Sequence, residues 1–577
     1  QYLRNLLELY MKVKVKQSTE DYRMLQMAQM KLNCSSTILT PTNAALILLT
    51  KEHVQEKQEQ VPSDQSKRPQ DKKHYDELEV KRRALEWILE RDGSLQEEQN
   101  YECAETEEDT LLQIAETLQE LSLLKMTNSI RQPNTKYALA KIYKVLTLRH
   151  QKARSLGYNS YADFFLSKNM MIKNSQEISS LHNTIAQKAL PVVLQHINQW
   201  MEEEKRRTKR GSKSVTFGDA FSSSRNKPSV WGELALYLEM ETVLKGMFDL
   251  CRRLFGVVVK EETLASRIHQ TWDRDVRIFH LFDEDKEMTY LASFYLDPFK
   301  RPENKMRDEN FCLPLIDGAM QTHTTALSGH ASVKTMPLAC VVCDIMPPDW
   351  NDSPCFLSFD ETVNIFHEFG HALHQMLTVV DFGFVAGLNA VEFDAVESPP
   401  QLFSLFLYDE GTLKGFAKHY RTGQQIPDEL FDELIRERLC RSSLRILEQA
   451  FEGQLEIEMH AAENESILQI LEKCYDRFMP YRTKVEKGDF SKVVDILVDG
   501  NPEFRCRYLI SEVMSCDAFA AFEEVGLSND AEVKALGRKY RETILSVGGG
   551  CSASEAYRRF RGRDFNTEAF FNQNGLF

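Results

Sequence analysis

Two histidines four residues apart, with a glutamate beside the first, stand at His367-Glu368-Phe-Gly-His371. On a helix, positions i and i+4 project from one face one turn apart, so both imidazoles can reach a single metal ion. This H-E-x-x-H spacing suits two zinc ligands with a glutamate between them. Glu368 is rotated off the histidine face, where its carboxylate meets a metal-bound water rather than the metal. It is the general-base candidate. The competing reading is an amphipathic helix with surface histidines, but Val363, Phe366, Ala372, Leu373, Met376 and Leu377 make the segment apolar enough to be buried. Buried histidines without partners are costly.

The chain must supply a helix to position these groups. Ser358-Phe-Asp-Glu361 spells a capping box, which predicts a helix over about 359–378. A catalytic zinc takes a third protein ligand and keeps one position open. Downstream, Glu392, Asp394 and Glu397 sit in the apolar run Val391-Glu-Phe-Asp-Ala-Val-Glu-Ser-Pro-Pro400. Asp394 and Glu397 share a helix face, so one can bind metal while the other orients a ligand histidine. We assign Glu397 to the metal and Asp394 to the histidine.

His-Glu-Phe-Gly-His-Ala-Leu-His-Gln, then Val385-Ala-Gly-Leu, then Glu392-Phe-Asp-Ala-Val-Glu397 resembles the thimet oligopeptidase family of zinc metallopeptidases. The look is nearest to its oligopeptidase A branch, and more distant from neurolysin, dipeptidyl carboxypeptidase and mitochondrial intermediate peptidase. The family's third ligand is the glutamate of D-x-V-E-x-P-S-Q, which falls on Glu397. Here the motif ends Glu397-Ser-Pro-Pro-Gln401, with Pro400 where the family has Ser. The resemblance runs from about Ala138 to the end. It takes in Leu156-Gly-Tyr-Asn-Ser-Tyr-Ala-Asp163, the Gly548-Gly-Gly550 turn and Arg558-Arg-Phe-Arg-Gly-Arg563.

That likeness implies a mainly α fold with a small β-sheet, of zincin type, with two lobes around a deep central channel. It also implies one zinc ion held by His367, His371 and Glu397, with short peptides as substrates. One stretch departs from the family. A His and several tyrosines that hydrogen-bond the tetrahedral intermediate are replaced here by Asp495-Ile-Leu-Val-Asp-Gly-Asn-Pro-Glu-Phe-Arg-Cys-Arg-Tyr508. The last histidine of the chain is His460, so only Tyr508 keeps the family's residue type and is the matching catalytic donor, with Arg505 and Arg507 as alternatives. Two functions follow from this: an active zinc oligopeptidase, or a zinc-retaining peptide-binding or scaffold protein descended from one.

Composition bounds the rest. A formal charge of -15 argues against nucleic acid or an anionic membrane as partner. No apolar run reaches the 18 or so residues that span a bilayer. The 12 scattered cysteines suggest a reduced compartment, mitochondrial or cytoplasmic, and the protein is expected to be a monomer. The first residue is Gln1 and no signal pattern follows, so the natural start is expected to lie upstream. Residues 1–137 read as an N-terminal helical region, with a solvated stretch at 51–77, and residues 138–577 as the peptidase domain with a mobile insert at 202–228. A helix is expected from Trp231 to Phe255, capped by Gly256, and then strands at 272–282 and 288–297. Met336 to Ile345 reads as a buried strand whose Cys340 and Cys343 are core residues. It is expected to be the last strand of the sheet, with an edge open to an extended peptide.

Overall fold

The structure, a computed structural model, describes residues 135–577 apart from 208–229, 263–270, 302–304, 306–309, 319, 326–328, 349–352, 463–464, 482–488 and 499–503, together with helical positions 114, 117, 118 and 121. The expected helices of residues 1–50, the stretch at 51–77 and most of the 202–228 insert lie outside the described residues. In chain order, the elements used below begin with helices α1 (Thr135–Ser155), α2 (Tyr161–Asn169), α3 (Ser175–Arg207) and α4 (Met240–Phe255). Strands β1 (Val257–Glu261), β2 (Arg277–Asp283), β3 (Thr289–Phe299), β4 (Phe311–Ile316), β5 (Met320–Thr325), β6 (Gly329–Lys334) and β7 (Leu338–Ile345) follow. Then come helices α5 (Phe359–Met376), α6 (Phe393–Val396), α7 (Ser398–Leu405), α8 (Asp428–Ala461), α9 (Ile467–Phe478) and α10 (Cys506–Val525). The fold is mainly α with one small mixed sheet, as expected.

Two compact units divide the described chain. One gathers Glu239–Val391 and Lys534–Cys551, and the other gathers the described residues up to Leu238 with Glu392–Val533 and Ser552–Phe577. The first unit holds the five-stranded sheet, in the order β1-β2-β3-β7-β4, and the β5-β6 hairpin. The pairs β1-β2, β2-β3 and β7-β4 are antiparallel, and β3-β7 is parallel. The strand around Cys340 is therefore not the last member: β4 lies outside it. Pro314 explains the miss, because a proline demotes a run from strand in a sequence reading, whereas an edge strand tolerates one. Cys340 and Cys343 are buried core thiols, and the described cysteines are all free.

The Trp231–Phe255 helix is in fact broken. A short helix, Val230–Leu234, and a 3-10 turn end at Leu238, and α4 starts anew with Glu239 accepting the Thr242 amide at 3.0 Å. Gly256 ends α4 in the left-handed region at φ 66°, as its position predicts. The Arg538 guanidinium donates to the Arg253 and Leu254 carbonyls at 2.9 Å each, closing the exposed helix end.

In the second unit, α8 packs along α3, and α10 against the α6–α7 segment. His182 is fully buried there and 3.1 Å from the Gln454 side-chain oxygen, so its Nδ1 carries the proton and donates. Burial holds its pKa down at about 4, against 6.5 for the free group. The unfolded chain thus takes up this proton first as pH falls, and the stability present above pH 6.5 is lost on the way down to 4. Replacing His182 by Gln, which keeps a donor for Gln454, should remove that loss. Thermal scans of wild type and H182Q should diverge between pH 6.5 and 4 by roughly 3 kcal/mol, and parallel curves would show that His182 is not neutral when folded.

Candidate active site

Helix α5 begins as its capping box dictates. Glu361 N–H donates to Ser358 Oγ at 3.1 Å and Ser358 N–H donates to Glu361 Oε2 at 2.7 Å. Its underside is set by aromatic packing: Phe369 meets Phe294 at 5.3 Å and Phe248 at 5.8 Å between ring centroids, and Phe279 stacks on Phe294 at 5.0 Å. With Phe369 turned into the sheet, His367 and His371 share another face, their rings 5.0 Å apart and nearly perpendicular. Glu368 is buried between these faces. Ligand atoms of His367, His371 and Glu397 all lie within 4.8 Å of one another, a span that one metal ion can bridge. These three are the only such group among the described residues.

Glu397 is buried at the junction of α6 and α7. Ser398, Pro399 and Pro400 form the first turn of α7, where backbone N–H groups have no helical partner, so two prolines fit without losing a bond. The departure at Pro400 is therefore structurally silent. The Gln401 amide makes the first helical bond, to Glu397 O at 3.1 Å. Its side chain donates to Tyr508 O at 3.3 Å and accepts from Ser515 Oγ at 3.4 Å.

Asp394 does not have the place expected of it. Its two carboxylate oxygens accept the backbone amides of Met171 and Ile172, at 2.6 and 2.9 Å, and Ser511 Oγ donates to its carbonyl at 2.8 Å. Both oxygens are thus taken up by the α2–α3 connection rather than by a histidine, and spacing along one helix could not show a partner more than 220 residues away in sequence. Burial raises its pKa to about 6, the two amides opposing the shift. An Asp394→Asn variant offers one oxygen acceptor where two amides need one each, so it should lose about 1 to 3 kcal/mol in denaturant unfolding; unchanged stability would mean the clamp carries no weight.

Three further side chains escaped the sequence reading. Gln375, one turn past His371, donates to Ile316 O and Asp317 Oδ1 at 3.3 and 2.9 Å and accepts the Leu388 amide at 3.1 Å, tying the end of β4 and the following loop to α5. Gly387 allows this: at φ 60°, any Cβ would stand 2.0 Å from the Gln375 side-chain oxygen. Cys312 on β4 has a thiol pushed well above its ordinary range by burial, then by the Glu368 carboxylate nearby and by Cys340. His374 is buried and neutral, its pKa lowered to about 3 by burial and by His371. The motif includes Gln375 but not its partners, and nothing in the local sequence marks Cys312, since the groups they meet are distant in the chain.

Tyr508 lies in the first turn of α10. Its hydroxyl accepts from the Arg507 guanidinium at 2.6 Å, and that guanidinium also lies over its ring at 4.5 Å. Arg505 pairs with Glu452 at 3.3 Å.

The sequence model of peptidase family M3 matches residues 117–576. The chain belongs to peptidase family M3. Among its curated relatives, organellar oligopeptidase A of Arabidopsis thaliana is 31% identical over 446 residues, covering 76% of this chain and 55% of that protein. Oligopeptidase A of Escherichia coli is 29% identical over 448 residues, covering 75% of this chain and 62% of that protein. This M3 chain thus spans little more than half the length of the curated relatives it matches. An M32 carboxypeptidase from Deinococcus radiodurans superposes with a TM-score of 0.57 at 12% identity, covering 99% of this chain and 96% of the other, which shows a shared fold. No described helix of this M3 chain is long and apolar enough to cross a membrane.

Proposed function

We propose that this M3 chain is a zinc-dependent oligopeptidase that hydrolyses internal bonds of short peptides. The convergence of His367, His371 and Glu397 within 4.8 Å is the observation that carries this reading. Two imidazoles and one carboxylate fit a catalytic zinc site, which keeps a fourth position open. Zinc held there would supply Lewis acidity and lower the pKa of a water toward ~7.

The chain's own residues perform the remaining steps. Glu368 takes the proton from the attacking water and later delivers it to the departing amine, so one carboxylate serves as base and then as acid. Its burial keeps the carboxylate out of bulk water beside the histidine pair. Tyr508 donates a hydrogen bond to the developing oxyanion. The Arg507 contact supports this, since a phenol oxygen that accepts from a guanidinium becomes a stronger donor through its own hydrogen. Peptide chains can add to the outer edge of β4, one of the two edges, with β1, that the sheet order leaves. The free thiols and the family's presence in organelles and cytosol, by the names of its relatives, support a reduced compartment.

Quenched-fluorescence peptide cleavage with and without a zinc chelator tests the reading, and zinc and peptide binding without chelator-sensitive cleavage would replace it by the scaffold reading. Glu368→Gln should keep the metal and lose turnover, whereas His367→Ala and Glu397→Ala should lose the metal; equal metal by elemental analysis in all three variants would refute the assignments. Tyr508→Phe should lower kcat and kcat/KM together by about 100-fold, and an unchanged kcat would move the role to Arg505.

A further inference from the structure

The second unit buries an arginine, a histidine and a glutamate that the proposed reaction does not use. Arg149 on α1 is 2% exposed, and His460 and Glu456 on α8 are 1% and 2% exposed. His460 Nδ1 lies 2.9 Å from the Glu456 carbonyl, which can only accept, so Nδ1 carries the ring proton. Its Nε2 then accepts from Arg149 Nη1 at 2.8 Å. Burial with Arg149 alongside holds the ring neutral, its pKa at about 3. Tyr161 closes the cluster, 5.3 Å from the His460 ring and 5.4 Å from the Arg149 guanidinium carbon. Burying such groups is expensive, and replacing them with apolar side chains is often neutral or stabilising. A buried cluster of this kind calls for a positional reason.

The cluster ends on Arg505, near the end of the altered stretch and at the start of α10. Glu456 Oε2 accepts the backbone amide of Arg505 at 2.5 Å. Arg505 is the N-cap residue of α10, and no side chain of its own caps that helix. The Tyr508 amide bonds back to Arg505 O at 3.3 Å, so the Arg505 peptide holds the turn that carries the phenol. Around Glu456 stand Arg149 from α1, Tyr161 from α2, His460 and Glu452 from α8, and Arg505, Cys506 and Arg507 from α10. Desolvation raises its pKa to about 7, against the Arg505 amide and the three arginines.

We propose that Glu456 is a positioning residue: its carboxylate clamps the Arg505 amide and thereby fixes the first turn of α10 and the Tyr508 side chain. This rests on the peptidase reading for the use of Tyr508, but not for the clamp itself.

Hydrogen exchange and steady-state kinetics on the full chain separate the two. Glu456→Ala should speed exchange of the Arg505 and Tyr508 amides at least ~10-fold and lower kcat ~10-fold, with KM and zinc content unchanged. Glu456→Asp keeps the charge but falls a methylene short, and should move the same readouts in the same direction if the alanine variant does not fold. Glu456→Gln keeps an oxygen acceptor and should restore both to within ~3-fold of wild type. The double variant E456A/Y508F should be no slower than Y508F alone, because Glu456 acts through Tyr508. Wild-type exchange at Arg505 and Tyr508 in both E456A and E456D, or rate losses in the double variant that simply multiply, would overturn the proposal. Faster exchange in a protein whose wild type cleaves no peptide would uphold the clamp and sink the peptidase reading instead.

Discussion

The rotation of α5 about its own axis is the constraint on which the rest of the site depends. A helix offers ~100° between successive residues, so burying Phe369 fixes at once where Glu368 and the two histidines point. The Phe248, Phe279, Phe294 and Phe369 stack sets that angle with rings of large area, which tolerate little slippage in a close-packed interior. A helix turned by one residue would bury an imidazole or the carboxylate against the sheet, where neither has a partner. Packing, not hydrogen bonding, therefore aims the chemistry. The capping box sets where the helix starts, and the stack sets which way it faces.

Glu397 poses a different problem, since a residue between two short helices has no long element to hold it. The chain answers with polar clamps. Asp394 is tied to the α2–α3 connection, Ser511 to the Asp394 carbonyl, and Gln401 to α10 at two points. Each bond is worth about 1 kcal/mol net, which is modest, but a buried acceptor left unmet costs more than a made bond gains. The turn is thus held less by the strength of its bonds than by the penalty for leaving any of them. This is why a buried Asp394 can persist so near Glu397 with its carboxylate given to the Met171 and Ile172 amides.

Local grammar made much of this legible in advance. The α5 start and length, the histidine pair, the Gly256 cap and the core cysteines all depend on residues within one or two turns of each other, and the structure has them as read. The misses have a common cause. β4 has a weak strand signal because Pro314 interrupts it, and its pairing with β7 supplies what the local sequence lacks. The Trp231–Phe255 helix was read as continuous because the break at Leu238 comes from a new N-cap, Glu239, which looks like any helical residue in sequence. The spacing of Asp394 points to a histidine because its true partners, the Met171 and Ile172 amides, lie beyond any local window. Charged side chains have the least legible roles, since a carboxylate's task is set by whichever donors the fold brings to it.

The two departures from the family motif show how unequal such changes are. Pro400 replaces a serine in the first turn of α7, where the backbone amide has no carbonyl partner within the helix and no N-cap side chain reaches it, and proline's fixed φ suits that turn, so the backbone loses no bond there. The loss of the family's histidine and tyrosines cannot be absorbed in that way, because no backbone rule supplies a proton donor to an oxyanion. What the structure offers there is one phenol, with a guanidinium against its ring and oxygen, on a helix turn whose first amide is held by a buried carboxylate. A donor is effective when it is already oriented and loses no freedom as charge develops, so one fixed group can do more than several mobile ones. Rigidity at the start of α10 is therefore the physical quantity on which the proposed role of Tyr508 rests.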